Sequence, residues 1–354
     1  MRYFFILFAI AGLLINPSAA EACTGITLKS KDSTTIVART IEWGGSNLNS
    51  QYVVVPRGYT ERSYTPDGVD GMTFTARYGY VGLAVEQKEF IAEGLNEVGL
   101  FYFPKYGEFE KYNAAVRDKS ISDLQLVSWL LGECSNVEEV KEAVKKVHVI
   151  NIDPRASTVH WRFAEPSGRQ LVLEIIKGEL HFYENTLGVL TNSPSFEWHL
   201  TNLNNYVNLF PGTAPNQQLG NIELSSFGAG SGFLGIPGDV TPPSRFVRAA
   251  FYQASAPQQE TALETVFQCF QILNNFDIPV GIEFPLGQVP CDIPSATQWT
   301  SVTDMRNHVI YYRTMYNSVI RNIDLRSIDF STVRYRAVSM DGTKRQAVET
   351  IKIE

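Results

Sequence analysis

A layered α+β protein is what this sequence predicts, on three observations. Closely spaced β-branched segments dominate from residue 24 to about residue 103, apolar residues at helical spacing replace them from Leu124, and the two kinds of segment then recur in blocks. Blocks of strands and blocks of helices point to sheets covered by helices, whereas a parallel array would alternate strand and helix.

Taken in order, the chain opens with Arg2, an almost unbroken apolar run from Tyr3 to Ile15, the breakers Asn16, Pro17 and Ser18, and the small-x-small triplet Ala20-Glu21-Ala22. That is the pattern of a signal peptide covering residues 1–22, so an exported, periplasmic or secreted protein is expected. Thirteen apolar residues are short of the roughly 20 needed to cross a bilayer, which argues against stable membrane insertion. Cleavage after Ala22 would make Cys23 the first residue. A lipid-modified Cys23 is the competing reading, but Ala20 stands where such signals usually place a larger apolar residue. Removing 22 of 354 residues leaves 332, expected to form a single domain over 23–354 because no linker interrupts them.

Thr24 to Leu28 and Thr34 to Ile41 read as two strands of a hairpin, separated by Lys29-Ser30-Lys31-Asp32-Ser33. Gln51 to Pro56, Met72 to Tyr78 and Gly99 to Phe103 continue the strand pattern, and antiparallel pairing is the simplest way to join them. Ser120 or Ser122 is the expected cap of a helix carrying Leu124, Leu126, Val127, Trp129, Leu130 and Leu131. Asn136 opens a second helix through Val140, Val144 and Val147. Strands return from Thr158 to Leu190, with turns at Glu165-Pro166-Ser167-Gly168 and Lys177-Gly178-Glu179. Helical spacing reappears in Phe196 to Leu209 and Ser244 to Phe270, and strand-like residues close the pattern from Trp299 to Tyr335.

With 44% hydrophobic and 19% charged residues the composition is that of a folded globular protein. A net charge of −7 with scattered Lys and Arg leaves no basic stripe for a phosphate backbone, so no nucleic acid partner is expected, and an anionic ligand would need a local cation. Cys23, Cys134, Cys269 and Cys291 form no CxxC pair, and His148, His160, His181, His199 and His308 form no metal-ligand pattern, so neither a metal nor a cofactor is expected. Each histidine reads as structural. From Gln217 to Pro243 runs a long Gly-rich loop, a length usually tied to function. It leads into Ser244-Arg245-Phe246-Val247-Arg248, where Arg245 sits at a helix start against the dipole, a placement better explained by a task than by helix stability.

Five strings in chain order carry a family resemblance: Cys23-Thr24-Gly25; Arg39-Thr40-Ile41-Glu42-Trp43; Asn96-Glu97-Val98-Gly99-Leu100 with Tyr102-Phe103-Pro104; Thr191-Asn192-Ser193-Pro194; and Gly235-Ile236-Pro237-Gly238-Asp239 with Ser244-Arg245-Phe246. Together they resemble the choloylglycine hydrolase family of N-terminal nucleophile hydrolases, which holds bile salt hydrolases and penicillin V acylases. The resemblance implies a four-layer αββα sandwich of two antiparallel sheets between helical layers, and a homotetramer. It also implies a cysteine amidase acting on a small-molecule amide. Cys23 is then the nucleophile. Its own α-amine, with a pKa of about 7.7 to 8.0, is the base for a thiol near pKa 8.5, and a thioester is the intermediate. Arg39 would favour the thiolate, and Glu42, where the family usually has Asp, would face the α-amine. Asn192 and the backbone N–H of Tyr102 would bind the oxyanion, Arg245 would organise the nucleophile region, and Trp43 and Phe103 would line an apolar rim.

Conjugated bile salts, releasing glycine or taurine, are the expected substrates, the apolar residues and the Gly-rich loop forming the acyl pocket. Penicillin V is the alternative, since Tyr102 resembles that branch. A lipid-anchored ligand-binding protein is the alternative from another class.

Overall fold

The computed structural model describes residues 21–65, 71–106, 115–152, 159–285 and 287–353, with the side chains of Glu21, Ala22 and residues 103–106 outside that description. Of the expected leader, only the backbone of Glu21 and Ala22 falls within it. In chain order come β1 (Glu21–Ala22), β2 (Gly25–Lys29), β3 (Thr35–Trp43), β4 (Gln51–Val55), β5 (Tyr80–Ala84), β6 (Ile91–Asn96) and β7 (Phe101–Tyr106). Helices α1 (Leu126–Glu133) and α2 (Val137–Val144) follow, then β8 (Val159–Ala164), β9 (Gln170–Ile176) and β10 (Glu179–Glu184). The last part holds α3 (Phe196–Asn202), α4 (Pro242–Ser255) and α5 (Ala262–Leu273), then β11 (Thr297–Asp304), β12 (Val309–Thr314), β13 (Asn317–Asp324) and β14 (Arg336–Ser339).

These strands build two antiparallel sheets. In the first, β1 and β2 share one edge of β3, which pairs on its other side with β11, followed by β12 and β13. The second runs β10-β9-β8-β7-β6-β5-β4-β14. Period-two alternation decides which core each side chain joins. In β5, Val81 and Leu83 face the first sheet, while Tyr80 and Ala84 face the other way with α1 and α2. Helices α4 and α5 pack on the outer face of the first sheet, so the layers run helix, sheet, sheet, helix. The αββα order expected from the sequence is therefore the order observed.

Several local signals act as read. The Asn136 side chain accepts the backbone N–H groups of Glu138 and Glu139, both at 3.0 Å, and so caps α2. Thr261 and Glu264 form a reciprocal capping box at α5. The expected Ser120 or Ser122 cap is a correction: Ser120 to Ser122 pair in parallel with His148 to Ile150, and α1 starts later, after Gln125. Those serines are fully buried, and the pairing gives their backbone groups partners that a helix start would have left unmet. Strands β5 and β6, which the sequence reading passed over, lie in the middle of the second sheet. Being buried on both faces, they lack the apolar-polar alternation that marks a half-exposed strand.

The interior between the sheets is unusually polar. Arg162 of β8 donates from Nε to Gln170 Oε1 at 2.8 Å and from Nη2 to Thr27 Oγ1 on the first sheet. Burial lowers its pKa to about 9. Glu93 of β6 accepts a hydrogen bond from Ser301 Oγ at 2.7 Å and lies 3.9 Å from Arg39 Nε. Polar bonds thus tie the two sheets in register, in addition to apolar packing.

Two outcomes follow. A Cβ on Gly94 would stand 2.4 Å from Leu131 Cδ1 and 2.9 Å from the Val81 carbonyl oxygen. Gly94→Ala should therefore destabilise the fold by about 1–3 kcal/mol, read from denaturant midpoints. Glu61 accepts from Gln125 Nε2 at 2.6 Å, and burial raises its pKa to about 7 from 4.5. The folded state then binds more protons than the unfolded chain between those values, so this group's contribution falls as pH rises from about 4.5 to 7. Glu61→Gln should raise the melting temperature at pH 8 and change it little at pH 4; equal shifts at both would refute the assignment.

Candidate active site

Cys23 sits in the short break between β1 and β2, at the edge of β3, and is buried. Antiparallel pairing of β2 with β3 places Gly25 opposite Arg39, and the Arg39 guanidinium turns back to the cysteine. Its Nη2 donates to Cys23 Sγ at 3.1 Å, Nη1 to the Ala92 carbonyl of β6 at 2.9 Å, and Nε to the Thr40 carbonyl at 3.2 Å. The Trp299 ring lies 5.5 Å beneath it, a cation–π contact. The rigid fork is held at three points, so the position of the sulfur is dictated by the sheets.

On the other side, Arg245 reaches the same residue from the first turn of α4. Nη1 donates to the Cys23 carbonyl at 2.6 Å and to Thr24 Oγ1 at 2.8 Å, Nη2 to Asn192 Oδ1 at 3.0 Å, and Nε to the Val240 carbonyl at 2.8 Å. Burial lowers its pKa, opposed by Glu42 and Cys23. The end of the Gly-rich loop fixes that turn. Asp239 accepts from Thr241 N at 2.9 Å and from Ser244 Oγ at 2.6 Å, and Arg248 Nη1 donates to the Pro237 and Asp239 carbonyls, both at 2.7 Å. Cation and helix start are thereby held together although the dipole opposes the charge.

Asn192 completes the cluster. Its Oδ1 accepts the Cys23 backbone N–H at 2.7 Å as well as the Arg245 donor. Two donors on one atom fix the amide orientation, since only the oxygen accepts. The Nδ2 group then points away, buried and without a hydrogen-bond partner among the described residues. A buried, unmet N–H donor near a thiol is able to meet negative charge on a bound oxygen.

Beside the cluster lies a small, mostly apolar cavity, with Arg39 and Glu42 at its polar end and Trp43, Leu48, Val85 and Phe90 among its walls. Glu42 accepts from Thr297 Oγ1 at 3.2 Å and lies opposite Ala22 in the β1–β3 pair. Trp43 is half-buried, its Nε1 donating to Ser46 Oγ at 2.9 Å. The Tyr102 ring packs against Phe163, centroids 4.4 Å apart, in the core on the far side of the second sheet, so any part Tyr102 takes at the site falls to its backbone N–H and not its side chain. Phe103 lies on β7 opposite Arg162, its side chain outside the described residues. None of residues 217–243 lines this cavity. Residues 217–219 and 222–224 form an exposed hairpin, and Phe233 packs against Phe251 and Tyr252 of α4. Glu93, Thr297 and Trp299 lie around the cluster without having been singled out in the sequence; for Glu93 the available signal was a charged residue inside the apolar strand β6. Burial raises the Cys134 thiol to about 12 and the Cys269 thiol further, as inert cores require, while Cys291 is exposed. Among the described residues no group of three His, Cys, Asp or Glu side chains gathers as for a metal, and no helix is long and apolar enough to cross a membrane.

A model of the linear amide C–N hydrolases of the choloylglycine hydrolase family matches residues 23–338. The chain belongs to the choloylglycine hydrolase family. It is 33% identical to a bile salt hydrolase/transferase of Lactiplantibacillus plantarum, the match covering 86% of this chain and 92% of that protein. To the bile salt hydrolase/transferase of Clostridium perfringens it is 31% identical with the same coverage of both. A solved structure of the conjugated bile acid hydrolase from Clostridium perfringens superposes with a TM-score of 0.77 at 28% identity, covering 93% of this chain and all of that one. The protein is thus an enzyme of the linear amide C–N hydrolase class, and the cluster at Cys23 is its candidate active site.

Asn192→Ala removes an acceptor shared by two donors, whereas Asn192→Asp keeps it. The alanine variant should lose about 1–3 kcal/mol of stability and the aspartate variant less than half of that, measured by thermal denaturation. A larger loss in the aspartate variant would contradict the hydrogen bonding described.

Proposed function

We propose that this enzyme hydrolyses the amide of glycine- or taurine-conjugated bile salts, with Cys23 as nucleophile after removal of residues 1–22. The observation that carries the reading is the pairing of Arg39 Nη2 on Cys23 Sγ, 3.1 Å away, with the open Asn192 Nδ2 donor. The relatives that are bile salt hydrolase/transferases, and a family match that starts at Cys23, support it.

In this mechanism the freed α-amine of Cys23 occupies the place of the present amide nitrogen, 2.7 Å from Asn192 Oδ1. The amine takes the thiol proton, and the thiolate, facing the Arg39 guanidinium, attacks the amide carbonyl. Negative charge on the former carbonyl oxygen is met by Asn192 Nδ2, a term typically worth about 2.7–4 kcal/mol. The α-ammonium passes its proton to the leaving nitrogen as the C–N bond breaks, leaving a thioester. Water, deprotonated by the same amine, then attacks the thioester and releases the acid and the thiol. Glu42, at the polar end of the cavity, would hold the ammonium form by charge. Trp43, Leu48, Val85 and Phe90 would pack the apolar acyl body. Export by the leader to the periplasm or outside belongs to the same proposal, as does a homotetramer.

Intact mass and substrate assays test it together. The mature protein should begin at Cys23 and release glycine or taurine from conjugated bile salts. Cys23→Ser should nearly abolish turnover with the fold kept, and so should a residue retained before Cys23, because an amide nitrogen is no base. Ready hydrolysis of penicillin V with bile salts cleaved no faster than by Cys23→Ala would replace the substrate. A diacylglyceryl adduct on Cys23 would favour a lipid-anchored binding protein instead.

A further inference from the structure

We propose that His160 and Glu174 are positioning residues: a buried pair that clamps both ends of the segment carrying Asn192, and so aims its amide at the reacting carbonyl. The inference rests on the reading of Asn192 as oxyanion donor.

His160 and Glu174 face each other on β8 and β9, one step beyond the Trp161–Leu173 pair, on the face turned toward the first sheet. Both are fully buried, with His160 Nδ1 3.1 Å from Glu174 Oε1. His160 Nε2 lies 2.7 Å from the Thr191 carbonyl, and Glu174 Oε1 accepts the Phe196 backbone N–H at 2.7 Å. One cross-strand pair therefore holds the residue before Asn192 and the residue that opens α3. A second histidine secures the middle: His199 Nε2 lies 2.8 Å from the Asn192 carbonyl, and its ring stacks on Phe246 of α4 at 4.5 Å. Thr191 Oγ1 adds a bond to the Pro242 carbonyl at 3.0 Å, joining the segment to the helix that bears Arg245.

The donor count is constrained. A carbonyl oxygen only accepts, so the nitrogen facing Thr191 carries its proton, and Nδ1 and the carboxyl must share a further proton between them. A buried pair of this kind is weak evidence for stability, because desolvating its groups offsets their attraction. Placement of a catalytic donor is a task that warrants it, since a misplacement of about 1 Å costs on the order of 100-fold in rate.

The test uses the mature full-length enzyme and a glycine-conjugated bile salt. His160→Phe keeps a packed ring and removes both bonds; Glu174→Gln perturbs only the shared proton. Each should lower kcat by about 10- to 100-fold with KM changed less than about threefold. In an Asn192→Asp background, which lacks the amide donor, the His160→Phe loss should vanish. NMR of the wild-type protein should show exchange-protected N–H signals from the His160 imidazole, a readout that holds even where a variant fails to fold. Wild-type kcat in His160→Phe beside a slow Asn192→Asp, losses that multiply in the double variant, or an imidazole without protected N–H signals would each overturn the clamp. Wild-type kcat in Asn192→Asp would instead remove the oxyanion reading itself.

Discussion

Burial of the Arg39 guanidinium between two sheets is the constraint on which the rest of this structure depends. A cation removed from water must find donor-matched oxygens and electron-rich neighbours, or the fold cannot hold it. Arg39 meets that requirement with the Ala92 and Thr40 carbonyls, the Trp299 ring and nearby Glu93. These partners come from β3, β6 and β11, so the requirement sets the spacing and register of both sheets. From the same fork, Nη2 aims an N–H at Cys23 Sγ. The geometry of the candidate nucleophile is therefore a by-product of satisfying one buried charge.

A second buried cation repeats the logic from the helical layer. Arg245 is placed by the first turn of α4, which the Asp239 carboxylate and the Arg248 guanidinium pin to the end of the Gly-rich segment. Its contacts with the Cys23 carbonyl and Asn192 link three stretches separated by up to 222 residues. Order at the site thus comes from cross-links between layers, and each cross-link uses a group that would be costly to leave unmet. Asn192 Nδ2 is one of several buried polar atoms without a hydrogen-bond partner among the described residues, and its closeness to Cys23 sets it apart. A buried donor left open near a thiol is a place where a ligand atom can be met.

The cavity beside the Cys23 cluster is built from residues that local sequence does not mark. The Gly-rich segment forms an exposed hairpin, packs Phe233 against α4, and anchors the start of that helix through its last residues. The cavity walls come instead from ordinary apolar residues such as Leu48, Val85 and Phe90, which carry no mark in the sequence. At Tyr102 strand alternation turns the side chain into the far core, while the role that the resemblance implies there belongs to the backbone N–H.

By itself the sequence determined the layered α+β class, the first hairpin and the Asn136 cap, and its short strings singled out Cys23, Arg39, Asn192 and Arg245. These rest on local chemistry or on short strings, and local signals survive without knowledge of distant partners. Only the tertiary structure decided which of those residues meet, that Cys23 N is held by Asn192, and that His160, Glu174, Glu93 and Trp299 belong around the site. The physical reason is separation along the chain. A histidine in Val159–Ala164 looks like any inward residue of a strand until the fold brings the Thr191 carbonyl to 2.7 Å, and no periodicity encodes that contact.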